Sequence, residues 1–186
     1  MSGLHAGEIE CLLSRVFSND TKSHGTSTRA ILTPKPHVRW LGVFARDELP
    51  DLKKEKRPFA LVLNTDPRSK PGQHWLALYG PSENSIELFD SFGQHPSNYG
   101  LAFIFPLYSF NQFQSLTSTF CGHYCIYFLY LRTYNQTFNE IINYLKQIID
   151  TDIWVKDYVT SLQRTYKTLN PCNRTGQCSK LKCSFC

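Results

Sequence analysis

No run of about eighteen apolar residues occurs in this sequence, and no basic segment leads into an apolar core at its N-terminus. A helical membrane span and a secretory leader of the common kind are therefore not expected. No internal repeat is present, so a solenoid of stacked units is excluded. Cysteine is absent between Cys11 and Cys121 and its total of seven is odd, unlike the paired disulfide framework of a small secreted domain. The expected setting is intracellular, not secreted, free of membrane and reducing.

What is present is a chain of 186 residues, 41% hydrophobic and 19% charged, long enough for one domain with a core that needs no staples. Residues 1–170 are expected to form that single domain and residues 171–186 a cysteine-rich basic tail; the expected state is a monomer. A formal charge of +5 is compatible with DNA or acidic peptides as partners and specifies neither.

Apolar spacing then divides the chain. Ile9, Leu12, Leu13, Val16 and Phe17 recur at helical intervals, predicting a short amphipathic helix over residues 8–17 in which Cys11 packs structurally. Residues 40–44 read as an aromatic strand or turn. Three apolar runs at 59–63, 74–79 and 86–90, separated by turns rich in Pro, Gly, Ser and Asn, predict an antiparallel meander. Residues 101–107 offer a fourth, edge strand interrupted by Pro106. Residues 124–131 have almost no polar face and predict a buried helix, with Thr117, Ser118 and Thr119 before it as capping residues. Two amphipathic helices follow, one over 138–149 and one from about 152 to 166.

The buried helix carries the chemistry. Cys121 stands at or near its N-terminus, where unpaired N–H groups and the positive end of the dipole favour a thiolate. A lone cysteine in an apolar helix is usually a packing residue, and Cys125, a turn further on, is read that way. Cys121 differs in its company. His74 opens the second strand of the meander and Asp90 closes the third, so an antiparallel pairing brings their ends side by side. Gln114 precedes Cys121 by seven residues.

A thiol peptidase needs a nucleophile, a base, a group that orients the base, and donors for the oxyanion. The simplest assignment is Cys121 as nucleophile, His74 as base and acid, Asp90 orienting His74, and Gln114 with the Cys121 backbone N–H facing the oxyanion. Gly122 is expected to leave room for a substrate backbone and Trp75 to shield the pair from water. His5, His24, His37, His95 and His123 are the competing histidines. His123, two residues along the same helix, points to a different side from Cys121.

The ordered set Asn64-Thr65, Gly72-x-His74-Trp75, Phe89-Asp90-Ser91-Phe92-Gly93, Gln114 and Cys121-Gly122 resembles the adenovirus-type cysteine endopeptidases and their relatives in Maverick/Polinton elements and related viruses. The resemblance covers residues 40–131. It extends more distantly to the deconjugating proteases of ubiquitin-like modifiers, whose Gln-to-Cys spacing is typically one residue shorter. It implies an α+β fold: a small, mainly antiparallel sheet packed against a central buried helix that carries the nucleophile, with further helices at both ends. It also implies catalytic roles for His74, Asp90, Gln114 and Cys121, small residues such as Gly near the cleaved bond, and capsid or core precursors as polypeptide substrates, met in a host nucleus or virion.

No cofactor is required for that chemistry, although a peptide and DNA are candidate activators. The adenovirus enzyme has Glu where Asp90 stands. It also holds its activating peptide through a cysteine between the Asp/Glu and Gln positions, and this chain has none there. Cys172, Cys178, Cys183 and Cys186 are candidate ligands for one tetrahedral zinc, a redox-labile tail, or a built-in activator. Two other readings of the whole chain stay open, a ubiquitin-like deconjugase and a non-catalytic peptide- or DNA-binding relative.

Overall fold

The computed structural model describes residues 3–18, 38–101 and 107–169. The zinc candidates Cys172, Cys178, Cys183 and Cys186 lie outside them, as do His24, His37 and residues 102–106 of the expected fourth strand. The architecture is α+β, a five-stranded mixed sheet with four helices. Strands β1 (Arg39–Phe44), β2 (Phe59–Asn64), β3 (Trp75–Ser82), β4 (Ser85–Phe89) and β5 (Leu107–Tyr108) lie side by side in sequence order. The helices are α1 (Ala6–Ser18), α2 (Cys121–Thr133), α3 (Phe138–Leu145) and α4 (Thr151–Leu169).

Alternation along the strands sorts side chains to two faces. Ala60, Val62, Ala77, Tyr79 and Phe89 join α1, α2, α3 and α4 in one apolar cluster. Phe59, Leu61, Leu63, Leu76, Leu78 and Leu88 form a second cluster with Leu52 and Leu101 from the connections. With both faces covered, β2 is buried along its whole length, which explains why it reads as a continuous apolar run. Helix α2, expected to be buried from its lack of a polar face, lies in the first cluster; Phe128 stacks on Phe89 with ring centroids 4.8 Å apart.

The expected meander forms the centre of the sheet, with β2–β3 and β3–β4 antiparallel. The expectation of a mainly antiparallel sheet is corrected at the edges, where β1–β2 and β4–β5 pair in parallel. Parallel neighbours require crossovers of a dozen or more residues, and the one between β4 and β5 carries Asp90, Ser91, Phe92 and Tyr99 across the end of the sheet. Helix α3 is shorter than expected. It ends at Leu145, and Ile149, expected on its apolar face, is fully exposed.

Cys11 packs inside α1 as expected but is disulfide-bonded, a departure from the expectation of reduced thiols. No described helix is long and apolar enough to cross a membrane.

Candidate active site

His74 and Asp90 meet as the strand order predicts. The β3–β4 register pairs Ala77 with Phe89; continued by one residue, it sets Asp90 opposite Leu76 and diagonal to His74, within side-chain reach. His74 Nε2 lies 2.6 Å from Asp90 Oδ1. The His74 backbone is held as well, its carbonyl accepting from the Thr65 N–H at 2.9 Å. Before it, Gly72 has a φ of +91°, and a Cβ there would lie 2.4 Å from Asn64 Nδ2. Only glycine allows the turn to pack this closely on β2.

Asp90 is the hub of the site. Its Oδ1 also accepts from the Phe92 N–H, and its Oδ2 accepts from the Gln94 N–H and the Tyr99 hydroxyl, each at 2.9 Å. Its backbone is pinned by Ser109, whose hydroxyl accepts from the Asp90 N–H and donates to the Asp90 carbonyl. Burial pushes the carboxyl pKa up, but the His74 hydrogen bond and charge and the two backbone donors together hold it below the usual range. Asp90 is a carboxylate despite being fully buried.

For His74 the largest effect is burial, which disfavours the charged ring. Hydrogen bonds and charge from Asp90 and Cys121 outweigh it and raise the pKa to about 9. With Nε2 committed to Asp90, Nδ1 is the nitrogen left for the thiol. It is buried without a hydrogen bond of good geometry, as is common in ligand-free sites whose contacts tighten with substrate. Phe92 packs against the imidazole with ring centroids 4.6 Å apart.

Cys121 is the first residue of α2. The expected capping by residues 117–119 is not found. The N-cap position is Phe120, which makes no side-chain hydrogen bond to the helix, so the N-terminal N–H groups keep their donor capacity beside the sulfur. Gln114 is 1% exposed and clamped on both ends of its amide. Ser91 Oγ donates to its Oε1 at 2.6 Å, and its Nε2 donates to the Ser118 carbonyl at 2.9 Å. The segment around it is tied to α2 and α4: the Phe113 carbonyl accepts from Tyr124 and Thr151, and Asp152 accepts from the Ser115 N–H and the Tyr124 hydroxyl.

Cys121 and Gln114 line one cleft of about 600 Å³ together with Asn64, Gly72, Trp75 and Phe92, a size suited to a bound chain segment or small molecule. Residues 3–7 form its other wall, His5 among them. That arm is fastened by the Leu4 carbonyl, which accepts from the Trp75 indole N–H at 3.2 Å. The reading of Gly122 is corrected by the same arm. A Cβ at Gly122 would stand 3.0 Å from Ile9 Cδ1 and 3.1 Å from Leu4 Cβ, so the missing side chain makes room for the protein's own N-terminal segment.

Sequence reasoning missed Tyr99, Ser109, Asp152 and the arm, which reach the site from distant parts of the chain. Ser91 stood inside the quoted motif without a role. The remaining residues fall where packing was expected. Cys125 is 1% exposed, with its thiol pKa pushed well up by burial and secondarily by the charges of Cys121 and Asp90. His123 is buried edge-on to Phe120, its pKa lowered to about 4 by burial and by the Lys156 charge. His95 bonds to Ser97 on the surface.

The two buried histidines give opposite pH slopes. His123 has a folded pKa below its unfolded ~6.5, so the unfolded chain gains protons first as pH falls. Stability is expected to drop by about 2 kcal/mol between pH 7 and pH 5 from this group alone. His74, raised to about 9, stabilises fully below ~6.5 and loses that contribution as pH climbs through 9. Urea midpoints across pH 5–7 check the acid limb; a His123→Leu variant with the parent's slope there would contradict it.

Against known proteins, no family model matches the chain and no curated protein sequence matches it.

Proposed function

We propose that this protein is a cysteine endopeptidase in which Cys121, His74, Asp90 and Gln114 act together. The observation that carries the reading is the buried 2.6 Å His74–Asp90 bond beside a cysteine that opens an uncapped helix in the wall of a cleft. Four residues from separate elements converge there, and packing alone requires none of their chemistry.

With a pKa of about 9, His74 is an imidazolium at neutral pH, its Nε2–H held by the Asp90 carboxylate. The Nδ1–H faces the sulfur and favours the thiolate. Sulfur adds to the scissile carbonyl, and the oxyanion that develops meets the Cys121 N–H and the Gln114 amide. His74 then delivers its proton to the leaving amine as the C–N bond breaks. The neutral ring takes a proton from the water that cleaves the thioester, restoring acid and thiolate.

The substrate class rests on the motif resemblance to adenovirus-type endopeptidases: structural precursor proteins of a virus or mobile element, cut next to small residues. Such residues suit a cleft bounded by the arm, Gly72 and Trp75. Incubating the protein with candidate precursors, with and without DNA, and mapping the cuts tests this; a Gly-Gly-terminated ubiquitin-like fusion serves as the competing substrate. Iodoacetamide is expected to label Cys121 at pH 6, where an ordinary thiol of pKa ~8.5 reacts slowly. Labelling unchanged in a His74→Ala variant would remove the thiol–imidazole pair from the reading.

A further inference from the structure

We propose that Ser91 is a positioning residue for the oxyanion donor, anchoring the carbonyl end of the Gln114 amide so that its NH₂ end stays aimed into the cleft; this rests on the peptidase reading above. An amide side chain has two ends of nearly equal shape and opposite polarity. The Ser118 carbonyl has only acceptor capacity, so the end 2.9 Å from it is the NH₂ group. The end 2.6 Å from Ser91 Oγ is then the carbonyl, to which the hydroxyl donates. The Ser118 bond uses one hydrogen of Nε2, and the second is free for an oxyanion in the cleft that Gln114 and Cys121 line.

With Gln114 and Ser91 each only 1% exposed, water does not replace the Ser91 hydroxyl freely. Without it, the Ser118 carbonyl still selects the NH₂ end, but the carbonyl end loses its hydrogen-bond partner and the amide can swing its second N–H out of line with the oxyanion. The Ser91 backbone has a separate task. Its carbonyl accepts from the Phe113 and Gln114 N–H groups at 2.8 and 3.0 Å, bonds that an alanine retains. Asp90 and Ser91, neighbours in sequence, thus serve the two halves of the site, one holding the base and the other the oxyanion donor.

Two reactions of Cys121 separate the halves. Acetylation by p-nitrophenyl acetate passes through a tetrahedral oxyanion: sulfur bonds to the carbonyl carbon, the bond to p-nitrophenolate breaks, and the phenolate leaves with the charge. Alkylation by iodoacetamide needs the same thiolate and forms no oxyanion. Both are followed by mass spectrometry of the Cys121 peptide in the full chain.

Ser91→Ala is expected to slow acetylation on the order of tenfold to a hundredfold, approaching the loss of an oxyanion donor, with alkylation within about twofold of the parent. Ser91→Thr should restore the rate. Gln114→Ala should slow acetylation at least as much, and the double variant no further, because both act through one donor. Acetylation of Ser91→Ala at the parent's rate would overturn the assignment. So would a parallel loss in both reactions, which would make the role structural. A parent that alkylates at Cys121 but is not acetylated there would instead sink the peptidase reading, and this assignment with it.

Discussion

An Asp90→Asn variant is expected to lose about 10³- to 10⁴-fold in the rate of Cys121 acylation, the scale on which a base is disabled when its orienting carboxylate becomes an amide. The carboxylate accepts at both oxygens, from His74 Nε2 and the Phe92 N–H on one and from the Gln94 N–H and Tyr99 on the other. An amide has a single accepting oxygen. Whichever way it turns, its NH₂ group faces donors that now have no acceptor. If it faces Nε2, the ring must carry its only proton on Nδ1 and remain neutral, so no imidazolium supports the thiolate. The His74 pKa of about 9 is sustained against burial largely by Asp90, so the pH profile of alkylation should move with the rate. A variant that acylates within tenfold of the parent, with an unchanged pH profile, would remove Asp90 from the mechanism.

The reach of the sequence toward this site follows from how local each interaction is. His74 and Asp90 are separated by a single hairpin, so strand alternation and a turn sufficed to bring them together. Helix α2 was legible because an apolar run with no polar face has only a buried solution. The parallel pairing of β1 with β2 and of β5 with β4 was not legible, since periodicity tells which face a residue takes and not which strand lies beside it. The arm was missed for the same reason: residues 3–7 carry no pattern, and their place against Trp75 and Gly122 is set by tertiary packing. Thr117, Ser118 and Thr119 look like helix caps by composition, yet the helix opens uncapped beside the cleft. A local preference unmet at this point fits a site where donors are kept for a ligand.

At the other end of the same helix stands Arg132, whose removal is expected to cost about 3–5 kcal/mol of stability. Its Nη2 donates to Glu87 Oε1 at 2.9 Å and its Nε lies 2.8 Å from Oε2 as an ion pair, with the two residues only 4% and 5% exposed. It also donates to the Gln136 carbonyl and lies 4.2 Å above the Tyr79 ring. Tyr79 and Glu87 are cross-strand partners on β3 and β4, so one side chain ties the last turn of α2 to the two strands that end in His74 and Asp90. The cation at a helix C-terminus is also favoured by the dipole. Arg132→Ala leaves the Glu87 carboxylate buried without its counter-charge. Arg132→Lys should recover little, because a compact ammonium cannot reach Glu87, the Gln136 carbonyl and the Tyr79 ring together as the guanidinium does. The paired change to Arg132→Met with Glu87→Leu should return to within about 1 kcal/mol of the parent, since it removes both charges at once and fills the space with apolar atoms. The coupling between the single substitutions is therefore expected to be large. Urea unfolding of the parent, Arg132→Met, Glu87→Leu and the double variant measures it, and single variants that each cost under about 1 kcal/mol and add would show that the pair does not hold α2 against the sheet. If it does, loss of Arg132 should also slow Cys121 acylation, because the helix that carries the sulfur is anchored to the His74 and Asp90 strands at its far end.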